Sequence, residues 1–82
     1  MNKNLEQNRV KTRQKVYEFL VEFITKHGYS PSIREICGGV NLKSTASVYD
    51  HLQILEQLGK IHMEGNKPRT ISLVGYEYIK VK

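Results

Sequence analysis

The sequence predicts an α+β domain that is mainly α-helical, with three helices followed by a C-terminal β-hairpin. Its 82 residues suffice for one hydrophobic core and leave no room for a second. Two observations predict the order of the elements. Three segments before Gly59 repeat apolar residues at helical spacing, and the segments after it alternate apolar and polar residues as strands do.

The first helix is predicted to begin after Thr12, whose hydroxyl can cap a helix N-terminus. Residues at i, i+3, i+4 and i+7 form its apolar face, namely Val16, Phe19, Leu20, Phe23, Ile24 and His27. Gly28 is a stop signal, so the helix should run to about Lys26. Residues 1–11 are polar and are expected to form a flexible N-terminal arm.

The second helix is predicted in "PSIREICGGV". Ser32 and Glu35 stand three residues apart, which is the spacing of a capping box. Gly38 and Gly39 each weaken a helix by roughly 1 kcal/mol relative to alanine, so we expect a neighbouring helix to approach closely there. Asn41 follows where the chain must turn, and asparagine tolerates a positive φ better than most residues.

The third helix is predicted over residues 44–58, with Ser44 as its N-cap and Gly59 at its end. Its buried stripe is Val48, Leu52 and Leu55. The opposite face is polar and carries Ala46, Asp50, Gln53 and Gln57, flanked by Ser47 and Tyr49. This helix contains neither lysine nor arginine, although the chain as a whole is basic.

After Gly59 the apolar residues recur with period 2, as expected for a β-hairpin. Ile61 and Met63 lie in its first strand, and Ile71 and Leu73 lie in its second. Three helices, a tight turn between the second and third, and a hairpin make a winged helix-turn-helix, which we assign to residues 12–74. Residues 75–82 are predicted to be a tail or the remnant of a linker.

The charge distribution favours an anionic partner. The 13 basic residues exceed the 8 acidic ones, which gives a net charge of +5, and nucleic acid is the commonest partner of such a field. Residues 1–43 hold eight basic and four acidic residues, whereas residues 44–82 hold five and four. The positive charge therefore lies mainly outside the third helix.

The remaining residues point away from catalysis and metal binding. No phosphate-binding loop or catalytic set is found, so the chain is predicted not to be an enzyme and to hold no cofactor. His27, His62 and Cys37 match no standard zinc spacing. Cys37 is expected to be a small buried apolar residue, and His51 a packing or hydrogen-bonding residue. No segment is apolar for long enough to cross a membrane, and the N-terminus does not look like a signal peptide.

Three stretches carry a family resemblance. "RQKVYEFLVEFITKHGYSPSIREI", "LKSTASVYDHLQILEQLGKI" and "NKPRTISL" resemble, in this order, the N-terminal DNA-binding domain of the LexA repressors. The resemblance covers about residues 12–73. It implies a bacterial or phage protein of the cytoplasm that represses DNA-damage (SOS response) genes and binds a palindromic operator as a dimer. The C-terminal peptidase domain of those repressors is not in this sequence, which leaves open whether the chain is a natural protein or a fragment.

The resemblance and the polarity of the third helix together predict the DNA contacts. Short polar side chains can approach base edges in the major groove, and basic ones bind phosphate. The predicted base contacts are Ser44, Thr45, Ala46, Ser47, Tyr49 and Asp50. The predicted phosphate contacts are Arg9, Lys11, Arg13, Arg34, Lys43, Lys67 and Arg69. Two of these have an alternative role, because Tyr49 could instead pack against the hairpin and Arg34 could pair with an acid.

Two function classes remain open at this stage. The first is sequence-specific binding of double-stranded DNA by a transcriptional repressor, with the third helix in the major groove. The alternative is a protein-interaction module, an antirepressor or an adaptor, on a winged-helix scaffold. A weak homodimer is a further expectation, and the strand-like residues 76–81 are its candidate contact. The operator sequence, the regulated genes and an inducing signal do not follow from the sequence.

Overall fold

The computed structural model describes residues 3–65, 67 and 69–75, with the backbone alone for residues 3–6. Its elements are helix α1 (Lys3–His27), helix α2 (Ile33–Val40), helix α3 (Thr45–Gln57), strand β1 (Ile61–His62) and strand β2 (Ser72–Leu73). The strands pair antiparallel with Ile61 opposite Leu73. We call the hairpin of residues 61–73 the wing. The predicted fold, a mainly helical winged helix-turn-helix, is confirmed.

Helix α1 begins well before its predicted start. It runs from Lys3, so Thr12 lies in its interior, and residues 3–11 are helical rather than an irregular arm. The prediction relied on apolar periodicity, which residues 3–11 lack, since Leu5 and Val10 are their only apolar residues and are five positions apart. Residues 3–11 are nevertheless rich in leucine, glutamate, glutamine, arginine and lysine, which all favour a helix. The C-terminal end is as predicted, since Gly28 follows His27 with φ +80°.

The core lies where the three helices and the wing meet. Its buried residues are Val16, Leu20, Ile24, Ile36, Val48, Leu52, Leu55, Ile61, Ile71 and Leu73. Each such side chain stabilises the fold by roughly 1.5–3 kcal/mol relative to an exposed one. Phe19 and Phe23 were expected in this core, but both are only half-buried. Phe19 packs against the core from outside, and Phe23 contacts the rings of His27 and Tyr29.

The wing is paired over fewer residues than the alternating sequence predicted, and side chains accept several of the backbone amides beside the two pairs. The N–H of Met63 donates to Glu56 Oε2 at 3.2 Å, and that of Glu64 donates to Thr70 Oγ1 at 3.3 Å. On the other strand, the N–H of Ile71 donates to Ser30 Oγ, also at 3.2 Å. The ladder of the described hairpin has two residue pairs. Gly75 is the last described residue, so the predicted tail contact at residues 76–81 lies outside the described part.

Local sequence signals position helix α2 as predicted. Ser32 Oγ accepts from the N–H of Glu35 at 3.1 Å, and Glu35 Oε1 accepts from the N–H of Ser32 at 2.8 Å. These two bonds form the predicted capping box. Asn41 ends the helix in the left-handed conformation, with φ 60° and ψ 41°. The turn to helix α3 is thereby made in a few residues, which fixes the angle between the two helices.

The paired glycines of α2 differ in their surroundings. A Cβ at Gly39 would overlap the ring of Phe19, whereas a Cβ at Gly38 would meet no atom within 4 Å. Gly39 therefore allows α1 and α2 to approach closely, as the sequence predicted for this pair. Gly38 has no such role.

We expect Gly38→Ala and Gly39→Ala to change stability in opposite directions. Both substitutions gain helix propensity, about 1 kcal/mol. Only Gly39→Ala forces Phe19 to move, at an overpacking cost of about 1–3 kcal/mol. Chemical denaturation of the two variants should show Gly38→Ala to be the more stable by about that cost. Equal free energies of unfolding would contradict the close approach.

His51 is a half-buried histidine between α3 and α1. Its Nδ1 and the Nε of Arg13 are buried without a hydrogen-bond partner among the described residues. Burial is the largest cause that lowers the pKa of His51 below 6.5, and the charges of Arg13 and Arg9 add to it. The carboxylate of Asp50 acts in the opposite direction. The fold therefore favours the neutral imidazole.

This shift predicts a loss of stability in mild acid. A histidine whose pKa is lower in the folded state binds protons more readily in the unfolded chain. The contribution of His51 is therefore present above pH 6.5 and declines as the pH falls through and below that value. The midpoint temperature of thermal unfolding should fall between about pH 7.5 and about pH 5.5 in both proteins, and it should fall further in the wild type than in His51→Gln. His27→Gln, at an exposed site, is the control. The prediction would be refuted if the midpoint temperature of His51→Gln fell as far as that of the wild type.

Candidate nucleic-acid interface

The exposed N-terminal end of helix α3 carries the predicted base contacts. Ser44 caps the helix, because its Oγ accepts from the N–H of Ala46 at 3.1 Å and of Ser47 at 3.4 Å. The cap uses this hydroxyl as an acceptor, so its hydrogen can still be donated to a ligand. Thr45 and Ala46 are exposed beside it. The first turn of α3 therefore presents small side chains that leave room for another molecule to approach closely.

The other predicted base contacts lie on the two flanks of α3. Ser47 is half-buried and Asp50 is exposed, and both face the N-terminal half of α1. Tyr49 is 39% exposed and lies on the side of the wing. The structure thus places the six candidates on one end of one helix, with a groove on either side.

The first groove separates α3 from α1 and has a volume of about 520 Å³. Ser47, Asp50 and Gln53 line it from α3. Arg9 and Arg13 line it from α1, so two predicted phosphate contacts lie beside the predicted reading face. Because α1 begins at Lys3, these arginines are carried by a helix rather than by an arm.

The second groove separates α3 and the start of α2 from the wing, and has a volume of about 250 Å³. Arg34, Tyr49 and Lys67 line it from three different elements. Arg34 is exposed, and no acid of the described segments pairs with it, so the alternative of an ion-paired Arg34 gains no support. Tyr49 shares this groove with Met63 of the wing.

Two predicted phosphate contacts lie in neither groove. Lys11 is exposed on α1, and Lys43 is exposed in the turn directly before Ser44. Lys43 therefore adjoins the N-terminus of α3, whereas Lys11 lies on α1 outside the two grooves. The structure brings together Arg9, Arg13, Arg34, Lys43 and Lys67 around one end of α3, and leaves Lys11 to one side.

Arg69 has contacts that the sequence did not reveal. Its Nη1 donates to Glu35 Oε1 at 3.0 Å and to the carbonyl of Ser30 at 3.1 Å, and its Nη2 donates to Glu35 Oε2 at 3.2 Å. Its guanidinium also lies 5.4 Å from the ring centre of Tyr29. Of the predicted phosphate contacts, Arg69 thus has a side chain that is already bound within the protein.

The Glu35 carboxylate joins the helix cap to this arginine. Its pKa lies below the ordinary 4.5, first because it accepts the Ser32 N–H and next because Arg69 donates to it. It therefore remains charged in any mildly acidic or neutral solution. The capping motif predicted the first of these bonds, but no local pattern could predict a partner 34 residues further along the chain.

Two features are absent from the described residues. No helix there has the length and apolar character needed to cross a membrane. No group of three or more histidine, cysteine, aspartate or glutamate side chains in that part of the chain could hold a metal ion.

Comparison with known proteins agrees with the motifs. A family model described as LexA DNA binding domain matches residues 7–70. The LexA repressor of Clostridium novyi is 52% identical over 59 residues, which are 72% of this chain and 29% of that protein. The LexA repressor of Acetivibrio thermocellus is 42% identical over 69 residues, 83% of this chain and 32% of that protein.

The chain spans about a third of the length of the curated relatives that it matches. The family match covers most of the chain, including α1 from residue 7 onwards, all of α2 and α3, and strand β1 of the wing. The resemblance read from the three motif stretches is confirmed. The chain belongs to the family of LexA DNA-binding domains.

Proposed function

We propose that this chain binds double-stranded DNA in a sequence-specific manner and serves as the DNA-binding part of a transcriptional repressor. Helix α3 enters the major groove with its N-terminal end. The observation that carries the proposal is the position of that end, which is exposed, small in side-chain size and flanked by two grooves with basic walls. Family membership supports the same reading.

The side chains of α3 have the chemistry for base readout. Serine and threonine hydroxyls can pair with several bases, and the methyl groups of alanine and threonine can contact that of thymine. Asp50 can accept a hydrogen bond from the amino group of cytosine. No arginine or lysine lies on this face, so contacts with phosphate must come from other parts of the chain.

Affinity then comes from the basic residues around α3. Phosphates on one side would meet Arg9 and Arg13, those on the other Arg34 and Lys67, and Lys43 lies between. Five neutralised phosphates give a slope of about −4.5 in a plot of log K against log salt. A chain with this division of roles loses affinity steeply in salt while it keeps its sequence preference.

The repressor role follows from the relatives, which carry the name LexA repressor. We propose that this chain, of bacterial or phage origin, acts likewise in the bacterial cytoplasm, on a palindromic operator to which two copies bind. One small module binds a half-site weakly, and a second copy on the other half raises the affinity. The alternative is a protein-interaction module, and the exposed, uncharged Tyr49 is the observation that favours it.

Selection from random duplexes should enrich a single motif. The purified chain is mixed with a pool of random duplexes, the bound fraction is sequenced, and binding is followed by fluorescence anisotropy at two salt concentrations. We expect a motif with palindromic halves and a salt slope near −4.5 per chain. Salt-sensitive binding without any motif would favour the interaction-module alternative.

Substitutions should separate readers from phosphate contacts. We expect Ser47→Ala and Tyr49→Ala to weaken binding to the selected duplex by about 1–3 kcal/mol and to relax the motif. Lys43→Gln should weaken binding to the selected duplex and to random duplexes equally, and it should reduce the magnitude of the salt slope by about 0.9. Gln57→Ala, at the far end of the same helix, is the matched control.

The interaction-module alternative makes the opposite prediction for α3. It requires that Ser47→Ala and Tyr49→Ala leave DNA binding unchanged, because neither side chain would then contact a base. The two variants therefore decide between the proposed function and its alternative on the same duplex.

A further inference from the structure

We infer that Arg69 and Glu35 are positioning residues, whose ion pair holds the wing against the start of helix α2 so that Lys67 and Tyr49 face DNA together. This inference rests on the proposed function and gives Arg69 a role other than the phosphate contact that its sequence suggested. It is carried by four observations: the contacts of Arg69, the placement of the wing's other attachments on its strands, the backbone conformation of Arg69, and the charge balance of the pair.

The contacts of Arg69 join the wing to the helix-turn-helix. Both terminal nitrogens of its guanidinium bind the two oxygens of Glu35, which is the forked geometry that gives such pairs their directionality. The same group reaches the carbonyl of Ser30 and the ring of Tyr29. Glu35 is itself fixed, because its carboxylate completes the cap of α2. Arg69 therefore binds a carboxylate whose position is fixed by helix α2.

The other attachments of the wing hold its strands. Ile61, Ile71 and Leu73 are buried in the core, and Glu56 of α3 accepts from the N–H of Met63, the residue after the first strand. The strands of the wing share two residue pairs, and Thr70 closes its turn by accepting from the N–H of Glu64 and donating to the carbonyl of Lys67. These bonds shape the hairpin but do not fix it against α2. Ser30 Oγ, which accepts from the N–H of Ile71, is the other side-chain bond that joins the described wing to the α1–α2 segment.

The backbone of Arg69 is itself informative. Its φ is +56°, in the left-handed region where glycine is the favoured residue. A large side chain held in this conformation points to a function for that side chain, because the rest of the structure must compensate for the strain. Here the function is the fork on Glu35, which a glycine could not make.

The pair carries no net charge. Glu35 lies within hydrogen-bond distance of the guanidinium, so a phosphate that approached Arg69 would also meet a carboxylate. Arg69 and Lys67 are both exposed and line the same groove, but no acid of the described segments pairs with Lys67. The wing thus has one arginine whose charge is balanced by Glu35 and one lysine outside any ion pair of the described residues.

Glu35→Gln tests the inference by the sign of its effect. Glutamine can keep the capping box, since it accepts the same N–H, but it cannot hold the guanidinium as an ion pair. Loss of a negative charge near DNA would by electrostatics alone tighten binding. The positioning role predicts the reverse, a loss of roughly fivefold or more on the duplex that the wild-type chain selects.

The controls separate charge from position. Glu64→Gln removes an equal charge within the wing, outside any ion pair of the described residues, and should leave binding equal or slightly tighter. Arg69→Lys keeps the charge but cannot form the fork, so it should lose about as much as Glu35→Gln. The double variant should lose no more than either single one.

Amide relaxation measured by NMR on the free chain supplies a second readout. We expect the backbone order parameters of Lys67 and Thr70 to be lower in Glu35→Gln and Arg69→Lys than in the wild type, and to be unchanged in Glu64→Gln. If the wild-type chain selects a motif but Glu35→Gln binds it equally well or more tightly, this inference alone is overturned. Unchanged order parameters in the wing of that variant would overturn it as well. The absence of any motif with the wild-type chain would overturn the proposed function, and this inference with it.

Discussion

The apolar stripe of helix α3 is the constraint on which the rest of the molecule depends. Val48, Leu52 and Leu55 are nearly or fully buried between α1, α2 and the wing. A helix held by one stripe has its opposite side exposed, whatever residues that side carries. The polar face of α3 is therefore free to vary in chemistry without changing the fold. Its lack of positive charge is a property of the surface and places no demand on stability.

Much of the fold could be predicted because the signals that specify it are local. A capping box spans three residues, and the left-handed Asn41 and the stop at Gly28 are properties of single positions. The close approach at Gly39 could be predicted as well, because a glycine that weakens a helix needs a reason in its packing. The order of helices and hairpin followed from the change of apolar period alone.

Two kinds of feature could not be predicted from the sequence. One is a contact between residues far apart along the chain, and the other is a helical segment without an apolar pattern. Glu35 and Arg69 are 34 residues apart, and nothing local marks them as partners. The early start of α1 rests on helix propensity in a segment without an apolar face, which periodicity cannot detect. The candidate site was affected accordingly: the positions on α3 followed from its cap and stripe, whereas the role of Arg69 needed the tertiary structure.

The side chains that accept the wing's amides have a consequence for how copies of this protein meet. Glu56 and Ser30 accept the N–H groups of Met63 and Ile71, which in this register point away from the partner strand, and Thr70 accepts that of Glu64. An exposed strand edge is a template on which other chains can pair and aggregate. In the described hairpin, acceptors within the chain already occupy these amides, so a second copy finds little edge on which to add a strand.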